Sequence, residues 1–148
     1  MSAVREKITE EIKLAMKAKD TARLGTLRLV KAEIIKKETE KDGSDLDDDG
    51  FIRLLQSMKK QREDSFQAFE KGGRQELADK EKAEIVVLEA FMPQQLSDEE
   101  LTAMAVAVVT ELGVSDMKQM GGAIKELMSR AAGRADGKRV SAAVKAQL

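Results

Sequence analysis

The chain has 148 residues and a mass of 16.3 kDa, the size of one domain or two small ones. With 42% hydrophobic and 36% charged residues it can build a core and is neither disordered nor membrane-embedded. It contains no Cys and no His, which excludes disulfides, thiolate and Ser-His-Asp nucleophiles, imidazole metal ligands and the usual proton shuttle near neutral pH.

Pro occurs once and apolar residues recur at threes and fours, so the chain reads as all-α. A first helix follows Ser2, with Val4, Ile8, Ile12, Ala15 and Met16 on one side. A second starts near Thr21 with Asp20 as N-cap, its stripe formed by Leu24, Leu27, Val30, Ile34 and Ile35, and the acidic loop Lys41 to Gly50 ends it. A third runs from about Asp49 to Lys71 through Phe51, Leu55, Met58, Phe66 and Phe69, and Gly72-Gly73 stops it. A fourth covers about Arg74 to Phe91, with Leu77, Ile85, Leu88 and Met92 inward; Pro93 then pushes Met92 out of helical geometry.

Beyond Pro93, Ser97 and Glu100 form a capping box that opens a helix with Leu101, Met104, Ala105, Val108 and Leu112 aligned, closed by Gly113. Ser115 is expected to cap the next, whose stripe is Met117, Met120, Ile124, Leu127, Met128 and Ala131, ending at Gly133. A basic loop, Arg134 to Arg139, precedes a last helix with Val140, Ala143, Val144 and Leu148. The expected organisation is an N-terminal domain of about four helices at 1–93, a linker at 93–96 and a small three-helix bundle at 97–148. Such a short bundle buries little apolar surface and is marginal alone.

Net charge is −1, which argues against a dedicated basic nucleic-acid stripe, but the charge is uneven. Residues 94–129 hold two basic and six acidic side chains; residues 130–148 hold five basic (Arg130, Arg134, Lys138, Arg139, Lys145) and one acidic (Asp136). The longest apolar run, Ala103 to Val109, cannot span a bilayer, so no membrane partner is expected. The first residues lack a secretory apolar stretch and Cys is absent, which predicts a cytoplasmic protein.

Two motifs imitate ligand sites. Asp45 to Ile52 has the acids and Gly of an EF-hand loop, but Gln56 stands where a bidentate Glu is required. An acidic cap favouring the dipole of the third helix accounts for it, and no metal is expected. Gly133-Arg-Ala-Asp-Gly137-Lys138 has three residues between its glycines instead of four, Arg139 in place of a magnesium-holding Ser or Thr, and a helix before it. It is no nucleotide loop, though a basic turn at a helix start can meet phosphate oxygens. No cofactor is expected.

A third feature is electrostatic. At about 100° per residue, Arg62 falls at the centre of the third helix's apolar stripe, while Glu81 and Glu84 fall within that of the fourth. A turn at Gly72-Gly73 sets Arg62 ten residues before it and Glu84 eleven after. A charge on an apolar face needs a partner, so Arg62, Glu84 and Glu81 are expected to form a structural ion pair fixing the register of the two helices. With no His, catalysis is not expected there.

Arg23-Leu-Gly-Thr-Leu-Arg-Leu-Val-Lys-Ala-Glu-Ile34, Lys60 to Ser65, Phe69 to Arg74, Glu81 to Ile85, Leu88 to Pro93 with Leu96, and Gly133 to Lys138, in this order and spacing, resemble the YqeY family across nearly the whole chain. The resemblance implies a two-domain helical fold shared with the tail of GatB, the subunit of the tRNA-dependent amidotransferase whose tail meets tRNA; similar modules are appended to some glutaminyl-tRNA synthetases. It also implies the family's usual label, carbon–nitrogen ligase with glutamine as amido-N-donor. No residue here matches that enzyme's catalytic sites. The function so implied is a non-catalytic, tRNA-binding accessory of translation, contacting tRNA through Arg130, Arg134, Lys138, Arg139 and Lys145, acting alone or with an aminoacyl-tRNA synthetase or amidotransferase subunit. A protein–protein adaptor without nucleic acid, or an accessory role in amide transfer, remain the alternatives.

Overall fold

A computed structural model describes residues 3–148; Ser2, expected to precede the first helix, lies outside them. The described residues form seven α-helices, one short 3-10 turn and no strand: α1 Ala3–Lys17, α2 Thr21–Glu40, α3 Asp48–Lys71, α4 Gln75–Glu89, α5 Asp98–Leu112, the 3-10 turn Met117–Gln119, α6 Met120–Ala131 and α7 Gly137–Lys145. The all-α expectation holds. The chain divides into two compact units, Met1–Phe91 and Met92–Leu148.

In the first unit, Ile8 of α1, Leu27, Val30 and Ile34 of α2, Leu55 of α3 and Leu88 of α4 are fully buried, each contributing roughly 1.5–3 kcal/mol by leaving water. Asp20 caps α2 by accepting a hydrogen bond from Arg23 N at 3.1 Å. Asp47 caps α3 through Gly50 N at 2.7 Å. A Cβ on Gly50 would lie 2.8 Å from Leu46 Cδ1 and 2.9 Å from Asp47 Oδ1, so the glycine of the calcium-loop look-alike serves the helix cap. The hairpin between α3 and α4 closes as Arg74 N donates to Phe69 O at 2.8 Å, with Gly73 at φ 71°, a conformation glycine adopts without penalty.

Several stripe members face solvent. Met16 is 54% exposed and Ile35 40%, and Leu77 is also exposed; Ala78 and Val87 are buried on α4 instead. These expectations failed because apolar residues occupy more than one side of α1, α2 and α4, and packing partners select which side is covered.

In the second unit, Leu96, Leu101, Val108, Leu127, Val140 and Val144 form the core. Ser97 caps α5 through Glu100 N at 3.1 Å, and α5 ends at Gly113 with φ 63°. Leu112, expected in the stripe, is 49% exposed. Ser115 is not the cap of the next element: Asp116 accepts from Lys118 N and Gln119 N and starts the 3-10 turn that leads into α6. The α6 helix ends one turn position before Gly133, with Ala132 left-handed at φ 48°.

Candidate functional site

Helix α7 begins inside the stretch read as a basic loop, because Asp136 accepts from Arg139 N at 2.8 Å and caps it at Gly137. That cap turns the preceding residues, 133–135, back against the segment that enters α5. Leu96 N donates to Arg134 O at 2.8 Å. Arg134 Nε donates to Gln94 O at 2.9 Å, and Gln95 Nε2 reaches Gly133 O at 3.3 Å. Arg139 Nη2 donates to Leu96 O at 2.7 Å and to Asp98 Oδ1 at 3.0 Å. The stretch 133–139 thus clamps residues 94–98 to the second unit, and the segment expected as a linker is hydrogen-bonded along its length. Buried Ala135 and Leu96 fill the space beneath.

The five basic residues singled out in the sequence therefore divide. Arg130 donates to Glu111 and Glu126, and these two hydrogen bonds raise its pKa above the ordinary guanidinium value. Arg134 and Arg139 are engaged with backbone carbonyls, and Arg134 also stands 3.7 Å from Glu100. Lys138 and Lys145 are exposed and enter no ion pair among the described residues. Being seven residues apart on α7, they share one face about 10 Å apart.

In the first unit the structure brings Arg62 and Glu84 together, Nε to Oε2, at 3.6 Å, with 15% of each side chain exposed. Arg62 Nη1 donates to Met58 O at 3.2 Å, whereas its Nε is buried with no hydrogen-bond partner. Glu81 sits nearby with its pKa raised, first by burial and then by the like charge of Glu84; Arg62 and Lys80 pull it partly back. The cluster is thus two carboxylates sharing one guanidinium. This arrangement can hold the two helices in register.

Sequence reasoning missed a second buried pair. Glu38 is 2% exposed, is bridged by Arg5 of α1, and accepts from Leu46 N at 2.7 Å, tying α1, α2 and the acidic loop together. The signal was present: Glu38 follows Ile34 by four residues, which continues the buried line of Val30 and Ile34. A groove of about 670 Å³ lies between the start of α2 and α4, with Gly25, Leu29, Lys80, Ala83 and Val86 among its walls. Among the described residues no group of three or more Asp or Glu is placed to hold a metal ion, and no helix is long and apolar enough to cross a membrane.

Residues 5–148 match the family model described as Yqey-like protein. The chain belongs to the YqeY family. It is similar to "Altered inheritance of mitochondria protein 41, mitochondrial" of Kluyveromyces lactis, 34% identical over 123 residues, covering 79% of this chain and 66% of that protein. The protein of the same name from Lachancea thermotolerans is 32% identical over 128 residues, covering 84% and 68%. In Eremothecium gossypii it is 34% identical over 107 residues, covering 71% and 58%. The matches thus span about two thirds of the length of these relatives or less. In this YqeY chain the Gly-Arg-Ala-Asp-Gly-Lys motif is a structural clamp, while its Lys138 is exposed and enters no ion pair among the described residues.

Proposed function

We propose that this YqeY chain is a non-catalytic tRNA-binding accessory whose contact surface in the second unit is centred on Lys138 and Lys145. The observation that carries the reading is that these two lysines share a face of α7, are exposed and have no acidic partner among the described residues, so they can displace counterions from a phosphate backbone. Arg139, in the first turn of the same helix, and Arg134, just before it, hold the clamp; Arg130 is committed to Glu111 and Glu126. With no Tyr or Trp and four Phe, recognition rests on phosphates and shape. A synthetase or amidotransferase subunit would supply the chemistry, and an accessory part in glutamine-dependent amide formation follows if adding this chain changes the rate of a reconstituted amidotransferase. The proposed compartment is the cytoplasm, with the mitochondrion as the alternative raised by the names of the yeast relatives; fractionation of tagged protein decides between them.

Binding of labelled bulk tRNA across a salt series tests the proposal. The intact chain is expected to bind with a steep salt dependence. Lys138→Ala/Lys145→Ala is expected to reduce the slope of log K against log salt by about 0.7–0.9 for each phosphate that is no longer neutralised. Absence of binding at about 50 mM salt, where electrostatic attraction is strongest, overturns it.

A further inference from the structure

Helix α2 carries apolar side chains on two faces. Leu27, Val30 and Ile34 are buried in the core, yet Leu29 is 45% and Ile35 40% exposed. At about 100° per residue Gly25, Leu29, Ala32 and Lys36 fall on one outward line, with Arg28 and Ile35 beside it, all exposed. On α2 that sector contains no acidic residue; Asp20 and Glu84 line the groove at its Gly25 end, so the cationic part of the face is the part around Arg28 and Lys36. Arg28 and Lys36 enter no ion pair among the described residues. The cations of α2 that do pair, Arg23 with Glu11 and Lys37 with Glu40, lie on other sides of the helix.

Gly25 adds a second observation. Glycine is among the least favourable residues inside a helix, and a Cβ at position 25 would meet nothing within 4 Å. Nothing in the packing of the unit requires glycine there; Gly25 and Leu29 wall the groove beside α4, where the missing side chain lets another backbone approach closely.

We infer that this face of α2 docks an acidic amphipathic helix of a partner protein. Aliphatic side chains at i, i+3 or i+4, and i+7 cover Leu29, Ala32 and Ile35; the partner backbone passes close over Gly25; and Asp or Glu on its flanks pair with Arg28 and Lys36. The line from Gly25 to Lys36 is about 16 Å long, three helical turns, the length of a helix-in-groove interaction. RNA would use the two cations but leave Leu29 and Ile35 uncovered, with no aromatic ring for a base to stack on. A bilayer surface would ask for the larger apolar and aromatic face of an interfacial helix, whereas the opposite side of α2 is locked in the core.

The test uses the full chain and three fluorescein-labelled helical peptides with the same Leu spacing, flanked by Glu, by Lys or by Ser, titrated by anisotropy at about 150 mM salt. The Glu-flanked peptide is expected to bind about fivefold more tightly than the Ser-flanked one and the Lys-flanked peptide more weakly than either. Arg28→Glu/Lys36→Glu is expected to reverse that order, and Leu29→Gln/Ile35→Gln to weaken the preferred peptide severalfold, with Tm unchanged because all four side chains are exposed. The inference is overturned if none of the peptides binds, if charge reversal leaves their order unchanged, or if the reversal abolishes binding of bulk tRNA or anionic phospholipid vesicles but not of the peptide.

Discussion

Truncating Glu84 to Ala strips Arg62 of the carboxylate that faces it across the α3/α4 hairpin. At 3.6 Å and an effective dielectric of about 20, the bare attraction is about 4–5 kcal/mol, most of it offset by the desolvation of both ions. Breaking a fully buried pair costs about 3–5 kcal/mol, and an exposed pair is worth about 0–1 kcal/mol. The pair keeps 15% exposure on each side, and Glu81 and the Met58 carbonyl remain near the orphaned guanidinium. The expected loss is therefore intermediate, about 2 kcal/mol, which corresponds to a fall in Tm of roughly 8–16 °C for a unit of this size. Removing both charges, as in Arg62→Met/Glu84→Leu, leaves no unpaired ion and is expected to restore stability to within about 1 kcal/mol of the parent. Thermal unfolding followed by circular dichroism reads both. A Glu84→Ala protein melting within about 2 °C of the parent, or a double variant no better than the single, refutes the register role of the pair.

Glu81 has a folded pKa raised above its ordinary value of 4.5, so between the two values the folded state binds more protons than the unfolded one. This group's contribution to stability therefore falls as pH rises through that window. Glu81→Gln is expected to raise Tm at pH 7, with the gain vanishing near pH 4; a gain that persists at low pH contradicts the burial explanation. Arg139→Ala removes the donor to Leu96 O and Asp98 and is expected to destabilise the second unit by about 1–2 kcal/mol; guanidinium unfolding with unchanged midpoint contradicts the clamp. Gly50→Ala pushes a methyl into Leu46 and the capping Asp47, costing about 1–2 kcal/mol in thermal unfolding, while added calcium leaves the parent Tm unchanged; a calcium-dependent rise returns the loop to metal binding.

Capping residues whose side chains have one candidate backbone target were legible in the sequence: Asp20 and Ser97 stand directly before apolar-periodic segments and cap as the spacing requires. Ser115 and Asp116 are adjacent and both are good capping residues, so the sequence did not show that Asp116 is the one that starts the 3-10 turn. Asp136 was hidden in a basic run whose look of a loop concealed the start of α7. The face of α2 that is buried was only half legible: Leu24 packs against the core as its place in the stripe requires, but Ile35 fits a stripe as well as Val30 does and is exposed, and only the neighbours α1, α3 and α4 distinguish them. The resemblance likewise offered Arg130, Arg134 and Arg139 as tRNA contacts, because a sequence shows charge but not the carbonyls and carboxylates that the fold brings to it.

In the second unit labour is divided between arginines that hold the fold and lysines that face solvent. The most direct measurement of that division sets Lys138→Ala/Lys145→Ala beside Arg134→Ala/Arg139→Ala, reading Tm and the salt slope of tRNA binding for each. The lysine variant is expected to keep its Tm while its slope falls by about 0.7–0.9 for each phosphate left unneutralised, whereas the arginine variant loses Tm first. An arginine variant that melts with the parent but loses the slope, beside a lysine variant that binds as the parent does, would contradict it.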